Sequence, residues 1–154
     1  MTPLKILILE DNGDRQRVMR DCLEDRFAQY SICFFATAVE MLWYLQSHLE
    51  ESLMISLDHD LELVPGADNR VFEPGTGRDI ADYLASQPAV CPVVIHSTNS
   101  RAADGMEQIL RDAGWQTSRV TPYGDLEWIP EVWFRTIRDA IVAAIGTPVS
   151  AARP

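Results

Sequence analysis

Hydrophobic and polar positions along the chain alternate between strand and helix patterns five times. Leu4 to Leu9 is an apolar run broken only by Lys5, the pattern of a strand buried on both faces. Asn12 to Gln29 follows with Val18, Met19, Cys22, Leu23 and Phe27 on one helical side. Tyr30 to Ala36 reads as a second strand. Thr37 and Glu40 then form a capping box for a helix whose stripe is Ala38, Met41, Leu42 and Leu45. Leu53 to Leu57 is a third strand running into Asp58-His59-Asp60.

A loop of about 15 residues follows, with Pro65-Gly66, Pro74-Gly75 and Gly77 as turn signals, longer than the usual two to six. The segment Glu62 to Gly75 is therefore expected to act as a lid. Thr76 and Asp79 make a second capping box ahead of Ile80, Tyr83 and Leu84. Pro92 to Ile95 is the fourth strand, ending in His96-Ser97-Thr98-Asn99. Ser100 to Ala113 is a helix closed by Gly114. Trp115 to Thr121 is the fifth strand. Pro130 opens a last helix in which Trp133, Ile137, Ile141 and Ile145 repeat every four residues.

Alternation of this kind implies an α/β fold, a doubly wound five-stranded parallel sheet in the order 2-1-3-4-5 with helices on both faces. The reading is one domain over residues 1–146 and a flexible tail over 147–154. No apolar run approaches the roughly 20 residues of a membrane helix, and the N-terminus lacks a signal-peptide pattern. Cys22, Cys33 and Cys91 read as small buried hydrophobes in a reducing compartment, so a cytoplasmic setting is expected.

Charge sharpens this. The 154 residues carry 23 acids against 13 bases, a net charge of -10, and the only lysine is Lys5. Such a balance argues against a broad grip on nucleic-acid backbone, which needs clustered cations. In the doubly wound order, strands 1, 3 and 4 are neighbours and ligands bind at their carboxyl ends. Glu10, Asp11, Asp58 and Asp60 would then crowd one mouth with His59, His96, Ser97, Thr98 and Asn99. Crowded carboxylates raise one another's pKa values and call for a hard divalent cation, Mg²⁺ or Mn²⁺. On an extended strand Asp58 and Asp60 point one way and His59 the other. Arg101, in a first helical turn beside the mouth, can clamp a phosphate. Plainer roles stay open: Asp11, Ser97 or Asn99 as helix caps, His59 or His96 as packed histidines.

The arrangement resembles the receiver domain of two-component response regulators over nearly the whole chain. The resemblance implies that Glu10 and Asp11 are the acidic pair, Asp58 the phosphorylated aspartate and Ser97 or Thr98 the hydroxyl. The receiver lysine is missing, because Thr121 stands at its position. Lys5 lies at the far end of strand 1, roughly 20 Å from the mouth at ~3.3 Å per residue.

A narrower likeness rests on Ile55-Ser56-Leu57-Asp58-His59-Asp60-Leu61, Gly75-Thr76-Gly77 before a helix, and Ile95-His96-Ser97-Thr98-Asn99. These strings resemble the cyclic-phosphate processing receiver family. The likeness implies a pocket for 2′,3′-cyclic phosphoesters, with a small phosphorylated ligand or an RNA end as partner. For that chemistry His96, then His59, are the acid/base candidates. Asp58 with Asp11 would hold the metal, Asp60 would ligate it or orient a histidine, and Ser97, Asn99 and Thr76 would bind phosphate oxygens. Two other readings stand: a signalling receiver phosphorylated on Asp58 that docks an unknown protein, and a non-catalytic module that holds Mg²⁺ or a phosphoryl ligand.

Overall fold

Side-chain alternation along the central strands sorts the core into two layers. In chain order the elements begin β1 (Lys5–Leu9), α1 (Gly13–Phe27), β2 (Ser31–Phe35), α2 (Ala38–His48) and β3 (Ser52–Leu57). The short strands β4 (Val64–Pro65) and β5 (Val71–Phe72) come next. Then follow α3 (Gly77–Ala85), β6 (Val93–His96), α4 (Ser100–Asp112), β7 (Thr117–Val120) and α5 (Phe134–Gly146). This computed structural model describes residues 3–146, so the expected tail lies outside the described residues.

Five strands form one parallel sheet, ordered β2-β1-β3-β6-β7, the doubly wound order expected. Leu7, Leu9, Ile55, Leu57, Val93 and Ile95 face α2, α3 and α4. Ile6, Ile8, Met54 and Val94 face α1 and α5, with Met19, Leu23, Phe27, Ile137 and Ile141 opposite. Each central strand is thus buried on both faces, which is why its sequence is apolar without alternation.

Helix starts follow their caps. Asn12 accepts from Arg15 N at 2.9 Å and Asn99 from Ala102 N at 3.1 Å. The Thr76–Asp79 box closes, with the Asp79 carboxylate accepting from Thr76 N at 2.9 Å. The Thr37–Glu40 box is only half made: Thr37 Oγ1 accepts from Glu40 N at 3.1 Å, without the reciprocal bond. The three cysteines are free and half-buried rather than fully enclosed. Burial pushes the Cys91 thiol up to about 12.

Two features depart from the sequence expectation. The long loop after β3 contains a small antiparallel hairpin, β4 against β5, turned by Ala67–Asn69. Asp68 and Asn69 take left-handed backbone there (φ 59 and 60), which short polar residues tolerate. The last helix begins with a widened π-type turn over Ile129–Trp133, where Pro130 sits. Among the described residues no helix is long and apolar enough to cross a membrane.

Candidate functional site

Register builds the site. Leu9 pairs with Leu57 and Leu57 with Ile95, so the next residues, Glu10, Asp58 and His96, form one row across β1, β3 and β6. The row faces the α1/α5 side, as do Ile8, Ser56 and Val94 two residues earlier. Glu10 and His96 are fully buried and Asp58 is 7% exposed. One ligand atom from each lies within 4.8 Å of the others.

His96 is held from behind. Its Nδ1 is 2.8 Å from Ser56 Oγ, and the Trp133 indole N–H donates to that same oxygen at 3.0 Å. Trp128 stacks on the ring at 6.0 Å between centroids, and Trp133 meets it edge-on. The Nε2 atom lies 3.3 Å from Glu10 Oε1, yet neither atom has a hydrogen-bond partner. Glu10 Oε2 accepts from Asn12 N at 3.0 Å.

In front of this row is an open cleft of about 340 Å³, lined by Asp11, Asn12, Arg15, Asp58, Asp60, Leu61, Glu62 and Thr98. Its electrostatics are lopsided. Burial, with the charge of Glu10, raises the Asp58 carboxyl to about 6, against His96, the His59 N–H and Arg15. Burial also raises Asp11, joined by Glu10 and opposed by the Glu62 N–H. Burial works the same way on Glu10, but His96, the Asn12 N–H and Arg15 together hold it below the ordinary carboxylate range.

The expected residues divide into groups. Asp11, Asp58, Asp60 and Thr98 line the cleft. Glu10 and His96 sit behind it. The Asp11 carboxylate accepts from Glu62 N at 2.6 Å, tying down the start of the long loop. Asp60 pairs with His59 Nδ1 at 2.9 Å and accepts from Asn99 Nδ2 at 3.3 Å. Ser97 Oγ accepts from Asn99 N at 3.0 Å and is buried. Thr76 caps α3 and does not line the cleft. Arg101 is exposed on the first turn of α4 and does not line it either. The guanidinium of the cleft is Arg15, 3.6 Å from Glu10 Oε1 and 5.3 Å over the Trp128 ring. The signal for it was its place in the first turn of α1, directly after the acidic end of β1.

The glycines of Gly75-Thr76-Gly77 have separate jobs. Gly75 takes a left-handed φ of +75. A Cβ on Gly77 would collide with the Asp58 backbone carbonyl, so only glycine lets α3 start against the end of β3.

Residues 6–112 match the family described as the cyclic-phosphate processing receiver domain. The chain belongs to that family. Solved structures place this cyclic-phosphate processing receiver among response-regulator folds. The phosphorylated cyanobacterial phytochrome response regulator RcpA superposes with a TM-score of 0.67 at 19% identity, over 96% of this chain and 97% of its own. A response regulator receiver domain from Rhodospirillum rubrum gives 0.63 at 20% identity, over 95% and 96%. The Mn²⁺-bound form of response regulator Rcp1 gives 0.60 at 19% identity, over 88% and 97%. Comparison with curated proteins gives no match.

The donor set of the receiver suits a divalent ion. Two buried polar atoms, Glu10 Oε1 and His96 Nε2, lack a hydrogen bond, although they lie 3.3 Å apart and Oε1 is 3.6 Å from Arg15, and an acidic cleft opens beside them. An unpaired buried polar atom costs free energy unless a ligand satisfies it. What sequence reasoning missed is Arg15, Ser56, Trp128 and Trp133, the residues that hold the row rather than form it.

Proposed function

We propose that the cleft binds a cyclic phosphoester and opens its ring with the help of a divalent cation. The observation that carries this reading is the pair of buried atoms without a hydrogen bond, Glu10 Oε1 and His96 Nε2, behind a cleft in which Asp58 stands with a guanidinium and a hydroxyl. The family match supports the substrate class.

Arg15 and Thr98 are the groups that hold the phosphate oxygens, Arg15 through a forked pair of N–H donors. A bound divalent ion supplies charge neutralisation and polarises a phosphoryl oxygen. Asp58, lining the cleft beside the phosphate, takes the proton of the attacking water. As the new P–O bond forms, one ring ester bond breaks, and the departing oxygen takes its proton from the water of the open mouth. His96 acts through Asp58 and Glu10, since it does not line the cleft. His59 acts through Asp60. The Glu62–Gly75 segment, anchored at its start by Asp11, is the part that selects the ligand's remainder.

The test is incubation with Mn²⁺ or Mg²⁺ and a nucleoside 2′,3′-cyclic phosphate. The expected product is a 2′- or 3′-monophosphate, lost in Asp58→Asn. Binding without product would leave a non-catalytic module; no binding and no turnover would overturn the reading.

A second reading, phosphoryl transfer to Asp58 in signalling to a protein partner, is supported by the fold shared with phosphorylated RcpA. Against it stands Thr121, exposed and uncharged where receivers keep a lysine. A small acyl-phosphate donor distinguishes the two: the signalling reading requires a phosphoryl adduct that Asp58→Asn abolishes.

A further inference from the structure

We propose that the outer seam between α2 and α3 docks a basic amphipathic helix of a partner protein, with Trp43 as the anchoring contact. The seam lies on the opposite face of the sheet from the Glu10–Asp58–His96 row, so the inference stands apart from the proposed ring opening.

Helix α2 divides its residues by side. Ala38, Met41 and Leu45 enter the core, whereas Val39 is 61% exposed and Trp43 79% exposed. The two are four residues apart, hence neighbours on one outward face. At Val39 a hollow of about 220 Å³ opens between the helices, lined by Ala38, Leu42 and Tyr83, with Asp79 and Asp82 from α3. Single exposed apolar side chains are ordinary surface. A tryptophan beside a valine, over a hollow lined by leucine and tyrosine, is a patch of the kind that marks an interface. Tryptophan carries binding energy out of proportion to its number, because it buries a large area with few rotatable bonds.

Charge names the partner. Helix α2 has no lysine or arginine. The one cation of α3, Arg78, is bonded to Asp82 at 2.8 Å, and a guanidinium nitrogen lies against Gly105 of α4, so it leans away from α2. Glu40, Asp79 and Asp82 therefore present acid along the seam. The half-made capping box leaves the Glu40 carboxylate without an ion pair among the described residues. An apolar anchor site rimmed by carboxylates complements a helix with a large apolar residue at its centre and Lys or Arg on its flanks. Laid into the furrow, such a helix packs on α2 and α3 as a third helix, ridges into grooves. A second copy of this chain does not suit the seam: each copy carries a net charge of -10, and like charges oppose the encounter.

The experiment selects a phage-displayed library of helical peptides, about 16 residues long and randomised on one face, against the immobilised full chain. The enriched pool should carry Leu, Phe or Trp at the centre and Lys or Arg at the edges. A selected peptide, titrated by calorimetry, should bind more weakly as ionic strength rises, and should shift the Trp43 emission to the blue. Trp43→Ser should lose tenfold or more in affinity, with an unchanged urea midpoint because the side chain is exposed. Glu40→Lys should lose a smaller factor and flatten the salt dependence. No enrichment, an acidic pool, or a selected peptide that binds a folded Trp43→Ser protein equally well overturns the proposal. Sedimentation showing self-association that Trp43→Ser abolishes would assign the seam to a second copy and overturn it too.

Discussion

At the N-terminal end of the sheet, Lys5 donates to the Tyr44 hydroxyl at 2.9 Å and lies 3.7 Å from Glu51. His48 pairs with the same glutamate and stacks on Tyr44. At the C-terminal end, Glu10 and His96 are more deeply buried, yet each keeps an atom without a hydrogen bond, the two meeting only as a 3.3 Å charge contact. The larger hollow, about 390 Å³, lies beside the first end, lined by Leu45 to Glu51 with Tyr83 and Gln87. Volume and chemistry are therefore separated: the roomier end is electrostatically closed, and the smaller cleft is the one left wanting a ligand. Unmet polar demand in a buried place is a better guide to function than size.

The comparison can be broken most severely at Gly77. In Gly77→Ala the new methyl group meets the Asp58 carbonyl, so β3 and α3 must part. Thermal and urea unfolding should show a loss of about 3 kcal/mol, the upper part of the overpacking range, and metal-induced stabilisation should vanish with it.

Asp58→Asn should act in the opposite direction. In the folded chain burial holds the Asp58 carboxyl near 6, against an ordinary 3.8. The folded state therefore keeps a proton that the unfolded state gives up, and stability falls as pH rises from about 4 through 6. Asparagine removes that penalty. In EDTA at pH 8 the variant should be more stable by up to about 3 kcal/mol, the gain disappearing below pH 4. Added Mn²⁺ should stabilise wild type and not the variant. A variant less stable than wild type at pH 8 in EDTA would contradict the buried-charge account.

Smaller effects are expected at the rim of the row and at the far end. Trp133→Phe deletes the donor to Ser56 and should cost about 1–2 kcal/mol in urea unfolding. Lys5→Met should leave cation and phosphate binding unchanged by calorimetry, because its partners are at the other end of the sheet.

Much of this was legible before any coordinates. The apolar runs ending in Glu10-Asp11, Asp58-His59-Asp60 and His96-Ser97 define the mouth, because parallel strands must end on the same side. The capping signals at Asn12, Thr76 and Asn99 place the helices. The holding residues were not legible. Trp133 and Ser56 are 77 positions apart, and no local periodicity links them. Arg101 was singled out and Arg15 was not, although both lie in first helical turns near the mouth; the Trp128 ring and the Glu10 carboxylate are what hold the Arg15 guanidinium at the cleft. The hairpin escaped because each of its strands is two residues long, below any period a sequence can display.

The bond from Trp133 to Ser56 makes the protein its own optical gauge. Trp43 is 79% exposed and Trp115 donates to Leu84 on the other side of the sheet, so both are insulated from the cleft. Trp128 and Trp133 touch the His96 ring, one by its face and one through a shared hydroxyl. Whatever changes the charge on that imidazole is written into the emission of two buried indoles. Occupancy at the front of the sheet can thus be followed in the unlabelled chain by light from the seam with the last helix.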